Sequence, residues 1–203
     1  MRTLAAALAV LFLATGAKAQ EFNWTRFYAG PFAGFGFGQS TFTAPSVTAT
    51  SLGTAGFSGG LLVGNTTDFN SFVVGGELDA QAGGWTGSAI CSGAGNTCTT
   101  SIVWLATLRA KAGIATPVGL IYGTVGPAVG SIEAKVTPGG GTPRTVAQTR
   151  IGYAAGLGFE MPISDKVTLG AEYLYSDLWK LEDGGTTATA PMHTVRAGAR
   201  FSF

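Results

Sequence analysis

Glu77 and Asp79 stand two residues apart, and so do Arg109 and Lys111. Further along, Glu172 is followed by Arg196 and Arg200. A spacing of two keeps both members of a pair on one face of a β-strand, because successive side chains point to opposite sides. Acids on one strand beside bases on the next can form an ion-pair lattice. An unpaired charge in a low-dielectric interior is costly, and pairing makes it tolerable. Two roles fit such a lattice: a selectivity constriction or gate, and a polar plug that stiffens the fold.

Other groups suggest chemistry less strongly. The one histidine, His193, together with Ser176 and Asp177, supplies the residue types of a Ser-His-acid hydrolase acting on lipid. No oxyanion hole or further orienting group accompanies them, so no catalytic residue is assigned. Two cysteines and one distant histidine make a poor metal site, and neither a metal nor a cofactor is expected. Cys91 and Cys98 are separated by turn-forming residues, which favours a local disulfide in an oxidising compartment. The glycines at 34, 36 and 38 have no helix after them and do not form a phosphate cradle.

The elements that position these groups read as strands. Of 203 residues only 11% are charged and 32 are glycine. Soluble domains carry roughly 25% charge and about 7% glycine. The net charge of +1 implies no polyanion, and no nucleic-acid partner is expected. The start of the chain has the form of an export signal: Arg2, a short apolar run from Leu4 to Thr15, then Ala17-Lys18-Ala19. Cleavage after Ala19 is expected, giving a signal peptide at 1–19 and one mature domain at 20–203. After the leader no apolar run reaches the roughly 20 residues a membrane helix needs. The other structure that satisfies every backbone group in lipid is a closed β-barrel.

Eight alternating stretches follow, at 27–38, 57–65, 72–82, 102–115, 120–130, 151–160, 167–177 and 193–203. In most of them aromatic and aliphatic residues share one face, while glycines and charges share the other. Pro127 and several glycines leave the faces of the fifth ambiguous. The links alternate long and short: 39–56, 83–101, 131–149 and 178–192 are long, and those near 66–70, 116–119 and 161–166 are short. That rhythm belongs to an eight-stranded antiparallel up-and-down transmembrane β-barrel, with short periplasmic turns and long external loops. Its glycine-and-charge face is expected inside and its apolar face against lipid. Eight strands leave a bore just wide enough for side chains.

Several segments, taken in order, carry a resemblance. Trp24-Thr25-Arg26-Phe27-Tyr28-Ala29-Gly30 is similar to the opening of the small outer-membrane immunogenic (porin-like) proteins. Gly75-Gly76-Glu77-Leu78-Asp79, the run from Trp104 to Gly113, and Glu172-Tyr173-Leu174-Tyr175-Ser176-Asp177-Leu178 resemble later strands of that family. Thr194-Val195-Arg196-Ala197-Gly198 with a final Phe203 resembles its ending. Arg26 in place of Gly, Pro31 within the first strand and Lys111 in place of Arg depart from the pattern. The resemblance implies an eight-stranded barrel in the outer membrane of a Gram-negative cell. It also implies that the outer-membrane assembly machinery reads the C-terminal strand through Phe201 and Phe203.

No single activity follows from that family. The leading expectation is a structural, surface-exposed barrel, antigen- or adhesin-like, whose loops meet host or cell-surface ligands. The alternatives are a narrow passive porin for small solutes and the lipid hydrolase above. A lipocalin-like carrier is opposed by the apolar outward face.

Overall fold

Alternation with a period of two, sustained through most of the chain, produces a sheet with two unlike faces, and closing it removes both edges. A computed structural model of the chain shows this closure. It describes residues 22–44, 47–90, 97–137, 142–183 and 186–203. The expected export signal at 1–19 lies outside the described residues, as do Cys91 and the glycines at 139–141. The strands are β1 Arg26–Ala44, β2 Val47–Phe69, β3 Phe72–Ile90, β4 Thr97–Thr116, β5 Gly119–Thr137, β6 Arg144–Ser164, β7 Val167–Asp183 and β8 Thr186–Ser202. Each pairs antiparallel with its sequence neighbours, and β1 pairs with β8 to complete the barrel.

At one end the turns are tight. Phe69 pairs with Phe72 across Asn70 and Ser71, whose φ angles are 56° and 83°. Positive φ at both central positions gives a hairpin turn whose twist matches that of the strands. Ser71 N–H donates to Asp68 Oδ1 at 2.8–3.2 Å geometry, here 3.0 Å. Thr116 pairs directly with Gly119 across a second two-residue turn.

The expected long loops are mostly strand. β1 and β2 stay paired up to Ala44↔Val47, through almost all of 39–56. Strands of 17 to 23 residues far exceed the roughly 9–11 needed to cross the hydrocarbon. The reason is physical. Beyond the membrane the outer face meets water instead of lipid, so the apolar-polar contrast between the faces fades, while Thr and Val still favour extended backbone. The ladders at two junctions are shorter: among the described residues β2 pairs with β3 as far as Ala55↔Thr86, and β6 with β7 as far as Gly152↔Leu178.

The face assignments hold. Phe27, Leu61, Leu78, Leu108, Leu157, Val195 and Phe201 are exposed on the outer wall, and Glu77, Asp79, Arg109, Lys111, Glu172, Arg196 and Arg200 are buried inside. β5, ambiguous by pattern, turns Leu120, Tyr122, Thr124 and Ala128 inward. One bulge on β4, at Val103 and Trp104, shifts the register against both β3 and β5 and turns Ile102 into the bore, where Trp85 already points by the unbroken alternation of β3.

Closure of β1 on β8 needs a glycine at position 30. A Cβ there would lie 1.8 Å from the Ala199 carbonyl oxygen, a backbone atom that cannot swing away. Gly30→Val is expected to block closure, so that refolded protein shows no heat-modifiable band on gels. Gly59→Ala, whose Cβ would meet nothing nearer than 3.7 Å, is the control and folds as the parent does.

Candidate functional site

Small residues on the inner face leave room for long charged ones, and the seven charged residues singled out above meet in the bore. Arg109 on β4 is the hub. Its Nη2 lies 2.8 Å from Glu77 Oε1 and 2.7 Å from Asp79 Oδ2. Its Nη1 pairs with Glu172 Oε1 and donates to Thr124 Oγ1 at 2.7 Å. Its Nε donates to Thr107 Oγ1 at 2.8 Å, and Thr107 in turn donates to Asp79 at 2.7 Å.

Arg196 on β8 grips Glu172 through Nε and Nη2 at 3.0 and 2.7 Å. The same Nη2 reaches across to Asp79 at 3.2 Å and Glu77 at 3.4 Å. Its guanidinium lies over the Phe32 ring, 4.6 Å from the centroid. Arg200 lies 3.5 Å from Glu77 Oε2 and 3.0 Å from Glu160 Oε1, and donates to Tyr122 Oη at 3.3 Å.

Neighbour pairing alone predicts two separate groups, β3 with β4 and β7 with β8. The bore is narrow enough to fuse them, through Arg109 to Glu172 in one direction and Arg196 to Asp79 in the other. Two expected contacts are not made. Lys111 pairs with Glu160 on β6 rather than with the β3 acids, and Arg200 turns to Glu160 and Glu77 rather than to Glu172. Lys111 also sits over the rings of Tyr122 and Tyr28, at 4.1 and 5.2 Å. Four carboxylates, Glu77, Asp79, Glu160 and Glu172, thus face four cations, Arg109, Lys111, Arg196 and Arg200, all buried. Equal numbers of each sign let the pairing offset desolvation.

Glu160, Tyr28 and Tyr122 were not singled out from sequence. Glu160 has the parity of the β6 glycines, which is the signal that marks it. Tyr28, which donates to Glu77 Oε2 at 3.1 Å, has the parity of Gly30.

Apolar layers close the bore on both sides of the lattice. Above it, Trp85, Ile102, Leu105, Ile132, Leu174, Leu178 and Met192 pack together. Trp85 reaches past β2 to β1, where a Cβ on Gly36 would lie 2.3 Å from its Nε1 and 3.2 Å from Met192 Sδ. Below, Trp24, Val73, Leu120 and Tyr122 form a second cluster, with Phe22 and Ala115 against it. Trp24 is held there by its carbonyl, which accepts from Thr66 Oγ1 at 2.6 Å. Arg26 fastens this closure. It lies over the rings of Phe22 and Trp24 at 4.6 and 4.9 Å, donates to Ser202 and Thr168 at 3.1 and 3.2 Å, and sits 3.7 Å from Glu160.

The hydrolase constellation does not assemble. Ser176 is buried in the bore, paired in register with Met192, whereas His193 points to the outer wall beside Tyr173 and Tyr175. The sheet separates hydroxyl from imidazole. Cys98 is disulfide-bonded. Its expected partner, Cys91, lies outside the described residues. Among the described residues no group of three or more His, Cys, Asp or Glu is arranged to hold a metal ion.

Residues 5–201 match the family described as outer membrane protein beta-barrel domain. The chain is 31% identical to the 31 kDa outer-membrane immunogenic protein of Brucella melitensis, over 93% of this chain and 88% of that protein. It is 25% identical to the 22 kDa outer membrane protein of Rhizobium leguminosarum bv. viciae, over 74% and 68% of the two chains. Among solved structures, the outer membrane protein OprG from Pseudomonas aeruginosa superposes with a TM-score of 0.55 at 13% identity, covering 89% of this chain and 97% of that one.

Proposed function

This chain belongs to the family of outer membrane β-barrel proteins, and from that premise we propose that it is a closed, non-conducting stand for its external arms. It is a surface-exposed barrel in the outer membrane. The observation that carries the closed reading is the filled lumen. A neutralised charge lattice lies between two apolar layers, and Trp85 above and Trp24 below block the axis. Small solutes crossing the bore would have to displace packed side chains and break buried ion pairs.

The arms are then the working part. They run well past the membrane. The Brucella melitensis relative is named for being immunogenic, which fits strands displayed outside the cell. Host or cell-surface molecules are the partners this reading expects.

Purified protein reconstituted in planar bilayers tests it. No reproducible conductance steps are expected. Regular steps from the parent protein would overturn the closed reading and favour the narrow passive porin.

A further inference from the structure

A polar-tipped aromatic patch on the outer wall is not used by anything above. The chain has five tyrosines and one histidine. Tyr28 and Tyr122 lie in the bore, and the other three converge with the histidine on one side of the barrel. His193 stacks on Phe37 at 5.5 Å between centroids and 21° between planes, and on Tyr173 at 5.9 Å and 30°. Tyr175 lies 5.2 Å from His193 and 6.0 Å from Tyr153. The Tyr173 hydroxyl meets His193 Nδ1 at 2.5 Å, which leaves the other ring nitrogen for a ligand. Asp177 lies two residues beyond Tyr175 on the same outer face.

The height of the patch matters. Strand residues rise about 3.3 Å each, and a tilt near 40° lowers this, so ten residues climb about 25 Å. His193 is ten residues from the C-terminal Phe203. The apolar band of such barrels is about 25 Å tall. The patch therefore sits where the external hydrocarbon edge meets headgroups. The chain agrees: Gln39 follows Phe37, and Asp177 follows Tyr175, on the same outer face. A general interfacial girdle would spread its polar-tipped rings around the perimeter. Here, among the described residues, all three outward tyrosines share one stretch of wall on β6 and β7, with His193 on β8 and Phe37 on β1 beside them, while Trp104 stands apart on β4.

We propose that Phe37, Tyr153, Tyr173, Tyr175, Asp177 and His193 form a binding site for a sugar of the outer-leaflet glycolipid headgroup. Flat rings offer stacking area to a pyranose face. The Asp177 carboxylate, the tyrosine hydroxyls and the free His193 nitrogen offer hydrogen bonds to its hydroxyls. The inference rests on the outer-membrane placement and is independent of whether the bore conducts.

The single histidine makes the test direct. The untagged chain, refolded in bicelles of phosphatidylethanolamine and phosphatidylglycerol, is titrated with the deacylated headgroup saccharide of a rough-type lipopolysaccharide. The His193 imidazole resonance is expected to shift saturably. Tyr175→Phe combined with Asp177→Ala keeps the Tyr175 ring and removes both hydrogen-bonding groups. It should weaken binding about tenfold, roughly 1.4 kcal/mol. Trp104→Phe, on the far wall, should bind as the parent does. Heat-modifiable mobility confirms that each variant is folded. If the saccharide leaves the His193 signal unmoved, or the double variant binds as tightly as the parent, the site does not exist and the patch is only an anchor in the bilayer.

Discussion

Arg109→Met is expected to be the most damaging single change inside the barrel, lowering stability by about 3–5 kcal/mol. The guanidinium contacts Glu77, Asp79 and Glu172, and it donates to Thr107 and Thr124. Without it, four buried carboxylates face three buried cations, and Arg196 must serve the three acids that Arg109 held, with Arg200 reaching only Glu77 among them. Leaving a buried charge uncompensated is what makes loss of one partner so costly. Arg109→Lys should fall between parent and Met, since an ammonium keeps the charge but cannot span the same set of acceptors. Adding Glu172→Gln to Arg109→Met restores equal numbers of each sign and should recover part of the loss. That recovery is the coupling a double-mutant cycle reads. Urea titration followed by gel mobility measures each step. Equal midpoints for parent and Arg109→Met would show that the lattice does not hold the barrel together, and would leave a gating role as its remaining purpose.

Parity made most of this lattice legible. Because charged residues and glycines share one face of each strand, seven of its members could be placed inside before any coordinates. Parity could not give the partners. Neighbouring strands suggest neighbouring pairs, whereas the lumen is so narrow that side chains from opposite walls meet, which is why Lys111 finds Glu160 and Arg109 finds Glu172. The two tryptophans that close the axis were also hidden. Trp85 keeps the inward parity of Glu77, Asp79 and Gln81 but lies in a segment that reads as a loop, and Trp24 precedes the first alternating strand. Arg26, visible only as a departure from the family pattern, becomes intelligible once Phe22, Trp24, Ser202 and Thr168 are seen around it.

The external strands were illegible for another reason. Periodicity in the sequence records a contrast in polarity between two faces, and above the membrane the outer face turns polar too, although Ser40, Thr54, Cys98 and Thr100 still point inward and stay buried. Composition then resembles a loop although the hydrogen-bonded ladder continues.

Deleting Phe203 is expected to cut insertion into the outer membrane several-fold while leaving export across the inner membrane intact. The side chain is 83% exposed. Its one backbone tie is the N–H that donates to the Phe27 carbonyl at 3.2 Å. Removing the residue therefore takes little from the finished barrel, and a purified, refolded variant should match the parent in urea. A large defect in cells combined with a small one in the test tube would assign Phe203 to recognition by the assembly machinery. Phe201 is different. It also faces outward, but it pairs with Ala29 on β1 and Val167 on β7, so Phe201→Asp should impair both insertion and refolding. Ser202 faces inward and accepts from Arg26 at 3.1 Å, so Ser202→Ala loosens one contact of the lower closure and should insert normally. Outer-membrane fractionation and heat-modifiable mobility give the two readouts. If the Phe203 deletion inserts as well as the parent while Ser202→Ala fails, the signal lies on the inner face of β8 and the outward aromatic ending is not what is read.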